Sequence, residues 1–283
     1  MPQSPALAVV AAAAMVAAVA CAPAPPAAPQ PTTQEASPTV IDDAGTTRPP
    51  DATPTPEAAL AGQLLARPGR PAAEAAPPRG LRPLGLGGRR DGLVFVPSGY
   101  RPDRPAPLLV MFHGAGGDAR SRYTEDLFAL AEERGVIVVV PESRGSTWDV
   151  IVGGFGPDVA FVDRVLASVF RRYAIDQERV AVGGFSDGAS YALSLGMTNG
   201  DLFDAILAFS PGFSAPARME GRPRLFVSHG TDDGVLPIDA TSRRIVPAAR
   251  RAGYDVTYEE FEGGHMLSRE IAAAGLDWLL GEQ

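Results

Sequence analysis

RVAVGGFSDGAS, residues 179–190, is the stretch that decides the fold. A β-prone run, Val180–Val182, feeds Gly183, Gly184, Phe185 and Ser186, and a helical pattern over residues 188–196 follows at once. Gly184-Phe185-Ser186-Asp187-Gly188 is a G-x-S-x-G pattern set between a strand and a helix, the context a nucleophile elbow requires. Small residues let the backbone turn sharply there, and the serine hydroxyl projects from the carboxyl end of a sheet. The pattern alone also arises by chance. Its strand–turn–helix setting is what makes Ser186 a candidate nucleophile.

The same rhythm extends on both sides of this turn. Leu93–Pro97 and Leu108–Phe112 are short apolar runs separated by turn residues, among them Pro102 and Pro105. Leu127–Arg134 predicts a short helix leading into Val136–Val140, a run stopped by Pro141 that suits a strand buried on both faces. Val162, Val165, Leu166, Val169, Phe170 and Tyr173 share one helical face, with Asp158 where a cap belongs. Further strands are expected at Ala205–Phe209, Leu225–Ser228 and Val256–Phe261, and helices near 240–252 and 267–280. Alternation of this kind predicts an α/β fold, a mostly parallel central sheet with helices on both faces. Pro211–Pro223 is too short for a large lid domain, which predicts an open cleft.

A serine hydroxyl is a poor nucleophile until a base takes its proton. The chain has three histidines, so the base can be sought by elimination. His113 precedes Ser186, in His113-Gly114-Ala115-Gly116-Gly117. His229 follows Leu225–Ser228, and His265 follows Val256–Phe261. Only His265 has both the serine and a candidate acid upstream, the chain order of an α/β-hydrolase triad. His113 and His229 are expected to hold their own loops.

The acid should orient the imidazole and stabilise the imidazolium formed on proton transfer. Asp232 and Asp233 both sit just past a strand; the pattern H-G-T-x-D-x-x-x-P, His229 through Pro237, favours Asp233. An oxyanion needs donors aimed at it. The N–H of Asp187, after the serine, supplies one, and the loop after His113-Gly114 a second, from Ala115 or, with the loop shifted, Gly116. HGAGG as a phosphate-cradling loop is disfavoured, since no Walker lysine follows and no dinucleotide fingerprint is complete. Trp148, in the loop Glu142–Gly156, either walls a substrate pocket or packs that loop down.

Composition divides the chain near residue 80. Residues 1–21 hold an apolar run, Ala6 to Ala20, shorter than the ~20 residues of a membrane span and suited to the core of a signal peptide. Small residues before Cys21 resemble a bacterial lipoprotein cleavage box, which implies acylation of Cys21 and attachment to a membrane; an ordinary cleaved signal is the alternative. Residues 22–80, rich in Pro, Ala and Thr, read as a disordered linker, and 81–283 as the catalytic domain. Cys21 is the only cysteine, which leaves neither a disulfide framework nor a CxxC metal site. Net charge is −8, and all 25 basic residues are arginine. That balance argues against a nucleic-acid partner, and the scattered arginine pairs, 89–90 among them, read as solvated faces.

PLLVMFHGAGG (107–117), RYAIDQERVAVGGFSDGAS (172–190), VSHGTDDGVLPI (227–238) and FEGGHM (261–266) together resemble bacterial phospholipase/carboxylesterase and polyhydroxybutyrate-depolymerase-like or feruloyl-esterase-like proteins of the α/β-hydrolase superfamily. The resemblance implies hydrolysis of small-molecule or exposed polymer esters through an acyl-enzyme, with no metal and no organic cofactor. Asp187 stands where relatives often carry Gln or Asn. The competing readings are a peptidase or amidase with the same triad, and a lipid-anchored binding protein without catalysis.

Overall fold

In the computed structural model the described residues are 55–71, 78–88 and 90–281, with the backbones of two short strands before them. The chain divides into two units, Met1–Pro49 and Pro50–Gln283. In the first, Val40–Ile41 pairs antiparallel with Thr47–Arg48. The expected signal segment and Cys21 lie outside the described residues.

The second unit is built on an eight-stranded sheet. Its strands are β1 (Gly80–Pro83), β2 (Gly92–Val96), β3 (Ala106–Phe112), β4 (Ile137–Pro141), β5 (Ile175–Phe185), β6 (Ala205–Phe209), β7 (Arg224–Gly230) and β8 (Val256–Phe261). Their spatial order is β1-β2-β4-β3-β5-β6-β7-β8. β1 and β2 run antiparallel to their neighbours, and β4, β3, β5, β6, β7 and β8 are mutually parallel. This is the α/β-hydrolase fold. The central strands are apolar throughout because helices cover both faces and no side chain of β4 or β6 meets water.

Two apolar layers flank the sheet. One packs α4 (Pro157–Arg172), α5 (Asp187–Thr198) and α6 (Ser242–Arg251) against Val110, Val182, Ile206 and Val227. The other packs α2 (Arg122–Arg134) and α7 (Arg269–Leu280) against Leu109, Met111, Leu207 and Phe226. A short α3 (Asp149–Val152) lies in the loop after β4. Successive residues of one strand thus serve opposite layers, as the two-residue side-chain period dictates.

Two expectations are corrected here. Residues 55–71 belong to the folded unit rather than to a linker running to residue 80. α1 (Pro56–Leu60), capped by the Thr55 hydroxyl, leads to Leu64, which is fully buried and whose N–H donates to Asn199 Oδ1 at 2.8 Å. The next two N–H groups donate to Asp163 Oδ1 at 2.5 and 2.8 Å. These side chains are more than ninety residues away in sequence, so local composition carries no trace of them. Asp158, in turn, is not the cap of α4. Pro157 occupies the first turn, and the buried Asp158 carboxylate accepts from the N–H groups of Arg144 (2.5 Å) and Asp149 (2.8 Å), tying down the loop after β4.

Candidate active site

Ser186 directly follows β5 and caps α5 with φ 59° and ψ −121°. A non-glycine residue with positive φ costs free energy and needs its surroundings to hold it there. Here its N–H donates to the Phe209 carbonyl of the neighbouring strand at 2.9 Å, while its own carbonyl accepts from Ala189 and Ser190. Two glycines make the turn sterically feasible. A Cβ on Gly188 would sit 2.2 Å from the Phe112 carbonyl oxygen, and one on Gly184 would sit 2.1 Å from that of Gly188. The G-x-S-x-G spacing is therefore a packing requirement between β5, α5 and the end of β3.

Ser186 Oγ lies 2.9 Å from His265 Nε2, and His265 Nδ1 lies 2.6 Å from Asp233 Oδ2. The residues come from the ends of β5, β8 and β7, whose parallel alignment delivers them to one edge of the sheet. The hydroxyl donates to Nε2 and Nδ1–H donates to the carboxylate, the arrangement in which Nε2 is free to accept a proton. The Phe185 ring lies against the imidazole, with centroids 4.8 Å apart.

Of the two candidate acids the structure brings Asp233 to His265. Asp232 is exposed and is held through its backbone, its N–H donating to the Gly263 carbonyl at 2.9 Å. The Asp233 side chain is closed to solvent. Burial works to raise its pKa, but hydrogen bonds from the Leu236 N–H, from His265 and from the Val235 N–H hold the carboxyl below the usual carboxylate range. An ionised acid is thus built into the fold.

The glycine loop after β3 lies beside Ser186. Gly116 spends its N–H on the Ser146 carbonyl at 2.7 Å, and Gly117 donates to the Gly114 carbonyl at 3.1 Å. The Ala115 N–H, between Gly114 and Gly116, has no protein acceptor among the described residues. Asp187 is the first residue of α5, where helix geometry leaves N–H groups without an intrahelical partner. Its carboxylate accepts from the Thr147 hydroxyl at 2.6 Å, joining the nucleophile turn to the loop after β4. These two N–H groups could receive an oxyanion.

Trp148 is not a pocket wall. It is fully buried, stacks on Tyr191 (centroids 4.8 Å, 15° between planes), and its indole N–H donates to the His113 carbonyl at 2.8 Å. Its role is to pack the loop after β4 against the start of the glycine loop. His113 works from the other side: Nδ1–H donates to the Gly114 carbonyl at 2.8 Å and Nε2 accepts from the Ser143 N–H at 3.0 Å. Burial lowers its pKa and keeps the ring neutral.

Two contributions were missed in the sequence. Arg90, expected on a solvated face, donates to the carbonyls of Ser143 (2.6 Å) and Gly117 (2.8 Å), bridging the two loops. His229 does more than hold its own loop. Its Nδ1 accepts from the Ser242 hydroxyl at 2.7 Å, and Nε2–H faces both the Leu236 carbonyl (2.8 Å) and Asp233 Oδ2 (3.1 Å). The only available signal was its position four residues before Asp233 in the same loop. No group of His, Cys, Asp and Glu among the described residues is arranged to hold a metal ion.

The chain is similar to known esterases. A family model described as "Putative esterase" matches residues 85–247. The bifunctional acetylxylan esterase/xylanase XynS20E of Neocallimastix patriciarum is 32% identical over 158 residues, covering 53% of this chain and 22% of that protein. "Probable feruloyl esterase C" of Aspergillus oryzae is 27% identical over 176 residues, covering 60% of this chain and 64% of that protein. The chain thus spans less than two thirds of these relatives. Among solved structures, the crystal structure of esterase PE8 superposes with a TM-score of 0.55 at 22% identity, covering 68% of this chain and 98% of that one.

Proposed function

The chain belongs to this esterase family, and from that premise we propose that it is a serine esterase cleaving carboxylic esters through an acyl-enzyme on Ser186. The observation that carries the reading is the unbroken line from Ser186 Oγ through His265 to Asp233, at 2.9 and 2.6 Å. His265 Nε2 takes the Ser186 proton as Oγ attacks the ester carbon. The oxygen that gains charge is received by the N–H groups of Asp187 and Ala115. Nε2 then returns the proton to the leaving alkoxide, and the C–O bond breaks to give the acyl-enzyme. A water, deprotonated in the same way, releases the acid and restores the serine.

The substrate class follows from shape and from relatives. The crossover from β6 to β7, Ser210–Pro223, carries no helix and no lid domain. An open cleft of this kind favours short acyl groups or esters exposed on a polymer. The names of the relatives, acetylxylan and feruloyl esterases, support acetyl and hydroxycinnamoyl esters as the first to try.

The apolar run before Cys21 supports export, with acylation of Cys21 as its finer form. Incorporation of labelled palmitate into the wild type but not into Cys21→Ala is the expected result; equal incorporation sinks the anchor.

Fluorophosphonate labelling tests the chemistry directly. The wild type should label and Ser186→Ala should not, and His265→Ala should lose p-nitrophenyl acetate hydrolysis. Full activity in either variant refutes the mechanism.

A further inference from the structure

Parallel neighbouring strands are usually joined by a helix packed on the sheet. Between β6 and β7 an extended strap stands in its place, and it is fastened to α5. The N–H groups of Gly212, Ala215 and Ala217 donate to the side-chain oxygens of Ser190 (2.9 Å), Ser194 (2.9 Å) and Thr198 (3.1 Å). Those three residues recur every fourth position, so they form one stripe along the helix. The strap therefore clings to α5 and leaves the valley between itself and α6 uncovered.

That valley is a cavity of about 420 Å³, within the range of small-molecule sites. Its walls are apolar: Met197 from α5, Phe213 and Met219 from the strap, Ile245 and Ala248 from α6. Arg244 is the one charged residue lining it among the described residues. Its Nε donates to the Asp239 carbonyl at 3.1 Å, and it has no carboxylate partner among the described residues. Neighbouring Arg243, by contrast, is held by Asp239 (2.8 Å) and Glu260 (2.5 Å). Asp239 is thus already neutralised, and the Arg244 charge is available to a ligand.

We propose that this groove binds an aliphatic monocarboxylate of medium chain length, at a site separate from the Ser186 cleft. Arg244 stands in the first turn of α6, at the end of the groove next to the acid loop, and Ala252 and Tyr254 close the far end. From Arg244 to Ala252 is eight helical residues, about 12 Å. A carboxylate on the guanidinium would lay its tail along that length, where the thioethers of Met197 and Met219 adapt to a flexible chain. Complementarity of charge at one end and apolar surface along the rest selects an amphipathic acid over a neutral lipid or a short polar anion.

The test is calorimetric titration of the full chain with decanoate. Saturable one-site binding is expected, at least tenfold tighter than for 1-decanol, which has the tail without the charge, with no binding of acetate. Arg244→Gln should weaken decanoate binding at least tenfold, and Ala248→Trp, which fills the groove, should abolish it. Both variants should keep the wild-type kcat/KM on p-nitrophenyl acetate. Absence of saturable heat in the wild type overturns the proposal, as does unchanged binding in both variants. Loss of decanoate binding after fluorophosphonate labelling also overturns it, because the acid then occupies the ester cleft. The titration does not depend on turnover, so it stands apart from the outcome of the serine tests.

Discussion

His229 Nε2 lies 3.1 Å from Asp233 Oδ2, the oxygen that also meets His265 Nδ1 at 2.6 Å. Two imidazoles therefore fix one carboxylate oxygen, and the Val235 and Leu236 N–H groups, at 2.9 and 2.8 Å, fix the other. A carboxylate held by four donors cannot rotate away as His265 becomes charged. Hydrogen bonds to charged groups are worth ~1.5–3 kcal/mol, so His229→Leu should lower kcat roughly 10- to 100-fold with KM unchanged. His229→Gln, which restores an N–H donor, should recover most of that loss. Steady-state kinetics on p-nitrophenyl acetate, with thermal melts as a control, separates this from a folding defect; equal kcat in all three proteins refutes it.

The two adjacent acids should behave very differently. Asp233→Asn removes the charge that stabilises the imidazolium and favours the wrong tautomer, which in a serine triad costs about 10⁴ in kcat. Asp232→Asn alters an exposed side chain whose anchor is its backbone N–H, so its kcat should stay within about twofold of wild type, as for surface changes generally. Comparable losses in the two variants contradict the assignment of Asp233.

Gly188→Ala should fail through packing rather than chemistry. The new Cβ would lie 2.2 Å from the Phe112 carbonyl oxygen and 2.6 Å from that of His113, both rigid backbone atoms at the end of β3. Relief requires moving α5 off the sheet, a cost upwards of about 3 kcal/mol. Urea unfolding is the measurement, and a midpoint within error of wild type refutes the close approach.

The pH dependence of stability should reflect buried groups that act in opposite directions. Burial lowers the pKa of both His113 and His229, so the unfolded chain takes up their protons first as pH drops below about 6.5. The stability these neutral rings contribute is present above that value and is lost going down. Asp149 and Asp158 oppose them: burial, then the Asp158 charge, raises Asp149 to about 6, and burial raises Asp158 as well, so the folded state gains protons there as pH falls. Asp149→Asn removes one of the two opposing groups. Its urea midpoint should therefore fall further between pH 7.5 and 5 than that of the wild type, and an equal or smaller fall contradicts the protonation of Asp149 in the folded state.

How much of this was legible in the sequence depended on whether the cause was local. Ala205–Phe209 and Val256–Phe261 carry their strand signal in their own residues, and β6 and β8 have those bounds. Ser186, Asp233 and His265 were reachable because each stands at the end of such a strand. β1 was missed because its exposed GLRP reads as a turn; it is a strand only through pairing with β2. Leu64, Arg90 and Trp148 were missed or misread for the same reason. Their partners, Asn199, Ser143 and the His113 carbonyl, are brought near only by the finished fold.

The hydroxyl stripe of α5 offers a last test. Ser194 Oγ donates to the Ser190 carbonyl at 2.7 Å and accepts from the Ala215 N–H at 2.9 Å, so one buried atom joins helix and strap. Ser194→Ala removes both bonds and leaves the Ala215 N–H without its partner, at a cost of about 1–3 kcal/mol. Ser190→Ala and Thr198→Val act on the same strap through neighbouring bonds. Residues in one network couple: once one tie is lost and the strap lifts, the next contributes less. The triple variant should therefore lose less stability than the sum of the single losses, while Ser186, on the turn before the stripe, keeps its reactivity toward fluorophosphonate. Strict additivity in urea unfolding means the ties act independently and the strap is not a single unit.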